Sequence, residues 1–517
     1  MNTGGPPLSA RKPYLPTSRA RKAAGTRWWA SDYLIVLGAW ESQVHGEAGS
    51  NLRIVRGKHG LHSVGEKASI YKDRNKATMR TGLERITQKA KEDANCCFTS
   101  LTHHITPELL GSSLQKIANA SSAGVDREEV SAAKATFDCW KDELLSQVHH
   151  RGYKPPPVKR VYIPKPGKKE NRAIGIPTVR DRVLQRSVSQ VLSAIYEADF
   201  LECSHGGRLG CSAHHAVSTV KYTISSKKVS WVYEADLKNF FGSLDHGWLM
   251  RFVLHRVKDP RILTLIRRWL KAGVVESGVR QETACGTPQG GSISVLLSNI
   301  YMHYVLDLWF EKRVKPRLKG EAYLCRYLDD FVVCFQLKQD AIRFQEALSK
   351  RLAKFKLELE PSKTSLIPFG RFAKRDCEQK GQKAPTFEFL GFTFYGVRCE
   401  AGNYVVGLKT AKSRLNRGMA TLKTKLVKMR HLPLALQAKH INMHLRGHYQ
   451  YFGVPFNSRA LVRLHRYAIK IWRKTLGRRS QKGRLTWRKY STILQAYPLA
   501  KPKLKYTHLS FQLVAKL

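Results

Sequence analysis

Three aspartates are the residues best placed to do chemistry in this chain. Asp329 and Asp330 are adjacent and lie between two short runs rich in aromatic and β-branched residues, Tyr323-Leu-Cys-Arg-Tyr327 and Phe331-Val-Val-Cys-Phe335. That pattern predicts a β-hairpin with two carboxylates at its tip. Like charges beside apolar strands are costly unless a cation neutralises them, and hard carboxylate oxygens favour Mg²⁺. A solvated turn is the plainer reading, since Asp is common in turns. The third aspartate, Asp236, closes the strand-like run Trp231-Val-Tyr-Glu-Ala235, where it either caps the following turn or supplies a further ligand.

The elements around these residues decide between the readings. Gly286-Thr-Pro-Gln-Gly-Gly-Ser-Ile-Ser294 predicts a flexible turn opening a long helix, with Ile293, Leu296, Leu297, Ile300, Tyr304 and Leu308 on one face. Glycines there let a substrate approach the backbone. A strand-end Asp, a Gly-rich helix entrance and an Asp-Asp hairpin in this order suit a palm that brings Asp236 and Asp329 together from neighbouring strands. Such a pair would hold two Mg²⁺ ions for in-line phosphoryl transfer to a primer 3′-hydroxyl.

Upstream, Val158–Lys165 and Arg172–Pro177 read as strands joined by a basic loop, whose Lys165, Lys168, Lys169 and Arg172 either bind phosphate or solvate an edge strand. Residues 178–197 have helical spacing, and residues 83–150 read as a few short helices broken at Thr106-Pro107 and near Gly124. Downstream come a helix over 340–355, a hairpin over Phe387–Phe394, and basic helical spacing from Lys409 to Leu476, as in a small bundle.

Charge points to the partner. The 517 residues hold 90 Lys and Arg against 39 Asp and Glu, a formal net charge of +51, which would repel itself without a polyanion. From residue 401 to the last there are 26 Lys and Arg and no acidic residue. Nucleic acid is the expected partner, and neither a membrane anchor nor a spanning segment is evident. The ten cysteines are scattered without a Cys-x-x-Cys pair, which argues against a zinc site or a disulfide framework and suits a reducing compartment. Residues 1–31 are basic and free of acid; Pro6, Pro7, Pro13 and Pro16 favour a plain basic arm over an organelle leader.

At these residues the chain resembles a reverse transcriptase, and more narrowly the group II intron-encoded type. The resemblance rests on Phe98-Thr-Ser-Leu, Gly124-Val-Asp126, Val161-Tyr-Ile-Pro-Lys165, Gly175 to Gln185, Gly286-Thr-Pro-Gln-Gly-Gly291, Arg326 to Val333, Phe389-Leu-Gly-Phe392 and Leu445-Arg-Gly-His-Tyr-Gln-Tyr-Phe452. The last is similar to the hallmark of the intron-maturase thumb. The resemblance implies an α+β right-hand polymerase, with fingers and an antiparallel palm sheet, plus an α-helical thumb. Its implied divisions are a basic N-terminal arm (1–80), an N-terminal extension with fingers (81–230), a palm (231–400), a thumb (401–476) and a basic tail (477–517), the tail a candidate DNA-binding region.

Carried over by residue, the resemblance implies that Asp236, Asp329 and Asp330 hold Mg²⁺ with the Leu237 carbonyl. Lys165 and Arg172 would grip the dNTP triphosphate, Phe241 would clash with a 2′-hydroxyl, Gln289 would line the nucleotide pocket, and Lys363 would give a proton to pyrophosphate. An RNA template, a DNA primer or target, and structured intron RNA are the implied partners, in a bacterial cytoplasm or nucleoid. Three positions depart from the family pattern. Leu328 replaces the usual Ala and is expected to crowd the nucleotide and primer end. Ser204-His-Gly-Gly-Arg-Leu-Gly-Cys-Ser212 replaces Ser-x-Gly-Phe-Arg-Pro-Gly-Arg-Ser, and Gly242 replaces a frequent Asp. No Cys/His cluster of the HNH endonuclease kind is present, so any mobility would use a nick made elsewhere. The alternatives are a domesticated enzyme of phage defence or spacer acquisition, and an RNA-binding splicing factor without catalysis.

Overall fold

The computed structural model describes residues 82–164, 171–276, 279–281, 286, 291–400, 402–480 and 485–515. The expected N-terminal arm, Lys165 and Gln289 lie outside the described residues. The fold is a mixed α+β arrangement built on three small sheets.

The described residues begin with a helix over 82–92 and short helices at Pro107–Gln115, Val130–Ala135 and Phe137–His149. The break expected at Thr106-Pro107 is a helix start: Thr106 Oγ1 accepts from the Leu109 amide at 3.3 Å, with Pro107 in the first turn. Strands β1 (Val158–Pro164) and β2 (Asn171–Ile176) form the expected antiparallel hairpin. The helix Val179–Asp199, capped by Thr178, follows and packs chiefly against the helices Pro107–Gln115, Val130–Ala135 and Ser294–Met302. After strand β3 (Trp231–Ala235), β4 (Val274–Glu276) and β5 (Val279–Gln281) return to extend the first sheet in the order β2-β1-β4-β5.

The central sheet holds the acidic residues. Strands β6 (Ala322–Tyr327), β7 (Asp330–Phe335) and β8 (Ser365–Pro368) combine with β3 in the order β6-β7-β3-β8, every pairing antiparallel. Strand alternation divides its side chains between two hydrophobic cores. Tyr233, Ala235, Phe331, Val333 and Phe335 join the N-terminal helices, whereas Val232, Cys325, Tyr327, Val332 and Cys334 join the C-terminal half.

The helix opened by the Gly-rich turn, Ser294–Met302, is buried at every position, so the single apolar face read from the sequence is a correction. It runs behind the sheet, and with neighbours all round a helix has no polar side to show. It continues through wide π-helical turns at His303–Asp307 and Phe310–Val314. Strands β9 (Phe387–Phe389), β10 (Phe392–Arg398) and β11 (Tyr404–Thr410) make the third sheet. The β9–β10 turn, Leu390-Gly391, has positive φ at both residues, as a two-residue hairpin turn requires.

The expected basic bundle consists of helices Lys412–Lys428, Leu434–Phe452 and Ser458–Leu476. Leu422, Ile441, Leu445, Leu464 and Trp472 fill its interior, and Trp472 Nε1 donates to Gln437 Oε1 at 2.9 Å. Two further helices follow, Trp487–Ala496 and His508–Leu513. Among the described residues no helix is long and apolar enough to cross a membrane.

Candidate active site

The site forms at one end of the central sheet. Ala235 pairs with Phe331, and Glu234 with Ser365. Continuing both registers past Ala235 sets Asp236 beside Asp330 on one side and Lys363 on the other. Lys363 Nζ does form an ion pair with Asp236 Oδ2, and the Asp236 side chain is 1% exposed. Tyr327 pairs with Asp330, so Leu328 and Asp329 make a two-residue turn between β6 and β7. The hairpin tip therefore falls where its two carboxylates were expected.

Asp329 is buried, and its carboxyl is pushed up to about 8, first by loss of solvent and then by the nearby Asp236 carboxylate. In a corner without water, beside another carboxylate, the Asp329 carboxyl holds its proton more tightly. Oδ1 of Asp236 and Oδ2 of Asp329 are buried without a hydrogen-bond partner, although buried polar oxygens normally have one. These oxygens fit a divalent cation. Among the described residues no three His, Cys, Asp or Glu side chains form a ready-made metal cage. Mg²⁺ needs none, because one or two carboxylates plus water and substrate phosphates ordinarily hold it.

The other candidates are distributed around this end. Leu237 is buried in an isolated bridge to Leu359, held on either side by Glu360 N donating to Asp236 O at 2.8 Å and Lys238 N to Glu358 O at 2.9 Å. Phe241 is buried in the short helix Phe240–Ser243, edge-on to Phe240 at 5.3 Å. Arg172 is half-buried on β2, paired with Ile163. Gly286 keeps a φ of +85° and would place a Cβ only 2.9 Å from Gly242 Cα. Gly286, without a side chain, can therefore lie against the Phe241–Gly242 backbone.

Leu328 does not stand free at the tip. It is 4% exposed, with φ of +59°. A Cβ on Gly206 would lie 2.9 Å from Leu328 Cγ, and one on Gly207 would lie 3.3 Å from Leu328 Cδ2 and 2.3 Å from Val295 Cγ1. Leu328 thus packs against the 204–207 loop. Two separate departures from the family pattern therefore touch: the bulk missing at Gly207 is replaced from the turn by Leu328.

Among the buried charged residues that sequence reasoning missed are Arg326 and Glu234. Arg326 is fully buried and forms a bidentate pair with Asp307, at 2.7 and 2.6 Å. Glu234 accepts from the Glu388 amide at 3.0 Å and from Ser365 Oγ at 3.2 Å, joining β9 to the strand that ends in Asp236. A charge inside an otherwise apolar strand was the available signal in both cases.

Residues 163–394 match the family model described as reverse transcriptase (RNA-dependent DNA polymerase). Protein YkfC of Escherichia coli (strain K12) is 35% identical over 275 residues, an alignment covering 47% of this chain and 71% of YkfC. The chain belongs to the reverse transcriptase family. The group II intron-encoded protein LtrA of Lactococcus lactis subsp. cremoris is 33% identical over 253 residues, 46% of this chain and 41% of LtrA. A more distant match, nuclear intron maturase 3, mitochondrial, of Arabidopsis thaliana, is 24% identical over 178 residues. The chain thus spans about two fifths of LtrA's length.

Proposed function

We propose that this reverse transcriptase family member copies RNA into DNA and binds structured RNA of the group II intron kind, assisting its splicing. The observation that carries the polymerase reading is the buried Asp236–Asp329 pair with an unsatisfied oxygen on each carboxylate. We read the central sheet as palm, the β1–β2 hairpin as fingers and the three-helix bundle as thumb.

In this reading Asp236 and Asp329 hold two Mg²⁺ ions, with Asp330 and the Leu237 carbonyl adjoining. When bound, the ions supply activation of a primer 3′-hydroxyl and charge stabilisation of the leaving pyrophosphate. The chain's own residues do the rest. Lys363 neutralises Asp236 and is placed to release a proton toward pyrophosphate. Arg172 on the hairpin grips the triphosphate, a task that suits the guanidinium fork, and Lys165 is assigned the same role by resemblance alone. Phe241 limits room at the sugar, and Gln289 lines the nucleotide pocket.

The RNA-binding reading rests on the bundle. Arg459, Arg463, Arg466 and Lys470 follow helical spacing along Ser458–Leu476 and line a groove of about 710 Å³ with Tyr467. A second hollow continues past Arg473, whose guanidinium lies 4.2 Å over the half-exposed Trp487. Like charges three and four residues apart destabilise a helix. Phosphates would offset that repulsion, and the exposed Trp487 ring would stack a base or sugar.

The test is primer extension on an RNA template with dNTPs. Wild type extends, and Asp329→Ala and Asp236→Ala lose at least a thousandfold in rate; equal rates would refute the site. For the RNA partner, binding to a self-splicing group II RNA is compared with a hairpin RNA of equal length. Equal affinity would remove the intron assignment and leave the polymerase.

A further inference from the structure

We propose that Arg326 is a positioning residue that fixes the Leu328–Asp329 turn, and through it the Asp329 carboxylate, with Asp307 and Asn299 as its supports. The proposal rests on the reading of Asp329 as a metal ligand.

The guanidinium of Arg326 has five N–H groups, and all five are engaged. Nε donates to Asp307 Oδ1 at 2.7 Å and Nη2 to Asp307 Oδ2 at 2.6 Å, while Nη2 also donates to Ser204 Oγ at 2.7 Å. Nη1 donates to Asn299 Oδ1 at 3.0 Å and to the Leu328 carbonyl at 2.9 Å. Both charged groups of the pair are wholly buried. Burial of an ion pair is no route to stability by itself, because well-packed apolar side chains do as well or better. What the pair supplies here is a rigid donor at one point under the turn.

That point matters because Leu328 is left-handed, a conformation unfavourable for a branched side chain. The peptide linking Leu328 to Asp329 carries the carbonyl that Arg326 holds. Rotation of that peptide would swing the Asp329 Cα–Cβ bond, so holding the oxygen aims the carboxylate. Asn299 is itself fixed, its Nδ2 donating to Gly206 O at 2.7 Å. The main chain of Arg326 is equally constrained, its amide donating to Cys203 O at 2.7 Å and its carbonyl accepting from His205 N at 2.9 Å. Asp307 reaches Arg326 from the π-helical turn His303–Asp307. Wide turns of this kind recur at functional sites.

A merely structural pair would tie the long helix to the sheet without affecting metal binding, and the two roles separate experimentally. Mn²⁺ binding to the full chain with an RNA–DNA primer duplex is measured by electron paramagnetic resonance. Single-turnover rates and the KM for primer are measured alongside. The variants are Arg326→Lys, Asn299→Ala, Asp329→Ala and the remote core substitution Leu144→Ala. Arg326→Lys is expected to weaken Mn²⁺ binding about tenfold and slow the single-turnover rate by a similar factor, with primer KM within twofold. Asn299→Ala, which spares the ion pair, is expected to give a smaller loss of the same kind, about threefold. Leu144→Ala loses thermal stability only. Should Arg326→Lys fail to fold, Asn299→Ala decides. Wild-type Mn²⁺ binding in the folded positioning variants, alongside its loss in Asp329→Ala, overturns the positioning role alone. Retained Mn²⁺ binding in Asp329→Ala overturns the underlying site and this proposal with it.

Discussion

Lys363 sets its ammonium on one oxygen of Asp236, while the other oxygen of that carboxylate has no hydrogen-bond partner. The side chains are 12% and 1% exposed, so this is a pair largely withdrawn from water. Removing one member of such a pair strands the other charge. Lys363→Met is therefore expected to cost about 3 kcal/mol without Mg²⁺, and to recover much of that loss when Mg²⁺ replaces the ammonium's charge. Thermal unfolding with and without Mg²⁺ checks it; a loss that Mg²⁺ does not reduce would place the cation elsewhere.

Asp329 gives a pH dependence of definite sign. Its carboxyl is raised from 3.8 to about 8 by burial and then by Asp236. Between those values the unfolded chain has released a proton that the folded chain keeps, so this group removes stability as pH rises and removes no more above about 8. On the proposed site, Mg²⁺ would have to displace that proton. Stabilisation by Mg²⁺ is thus expected to grow from pH 6 to 8, with the half-saturating concentration falling by up to about tenfold per unit. Melting temperatures across Mg²⁺ titrations at both pH values measure this, and Asp329→Asn is expected to flatten it.

Glu234 offers a test remote from the metal oxygens. Its carboxylate joins the Glu388 amide to the strand ending in Asp236. Glu234→Ala leaves that amide without this acceptor, at a cost of about 2 kcal/mol, and frees the β9–β10 hairpin. The expected kinetic effect is a several-fold rise in primer KM with a smaller change in the maximal rate. Steady-state extension with varied primer separates the two.

The groove on Ser458–Leu476 predicts a salt effect. Replacing Arg459, Arg463 and Arg466 together by Gln should weaken binding to every RNA tested and lower the slope of log affinity against log salt by about 2 to 3. Filter binding over a range of KCl concentrations reads the slope. An unchanged slope would mean that these cations do not face phosphate.

Leu328 inverts a usual rule. In ordinary backbone Gly is worse than Ala, but at φ of +59° Gly relieves strain of about 1 kcal/mol. Both Leu328→Ala and Leu328→Gly open space against Val295 and the 204–207 loop. Leu328→Gly is expected to be no less stable than Leu328→Ala in denaturant unfolding; a Gly variant weaker by a full kcal/mol would show that the turn is not strained.

The hairpin tip, the strand-end Asp236 and the basic bundle were all legible, because alternation, turn chemistry and charge are local properties of sequence. Lys363 was reached only through resemblance, since its contact with Asp236 depends on the β3–β8 register. The network of Arg326, Asp307 and Asn299 was not legible, although the charge of Arg326 within an apolar strand marked that one residue. Their contacts span 19 to 122 positions with Ser204 included, and no periodicity links residues so far apart. The short return of β4 and β5 to β1 escaped for the same reason: three-residue strands carry too few alternations to register.

The alternation of β3 and β7 between two hydrophobic interiors has a thermodynamic corollary. Neighbouring residues of a single strand, such as Val332 and Val333, belong to opposite bodies, so neither body can melt without exposing the wall it shares with the other. Calorimetry of the full chain should record one shared endotherm for the two bodies rather than two, and a lesion in the C-terminal helices should lower the melting point of the N-terminal ones.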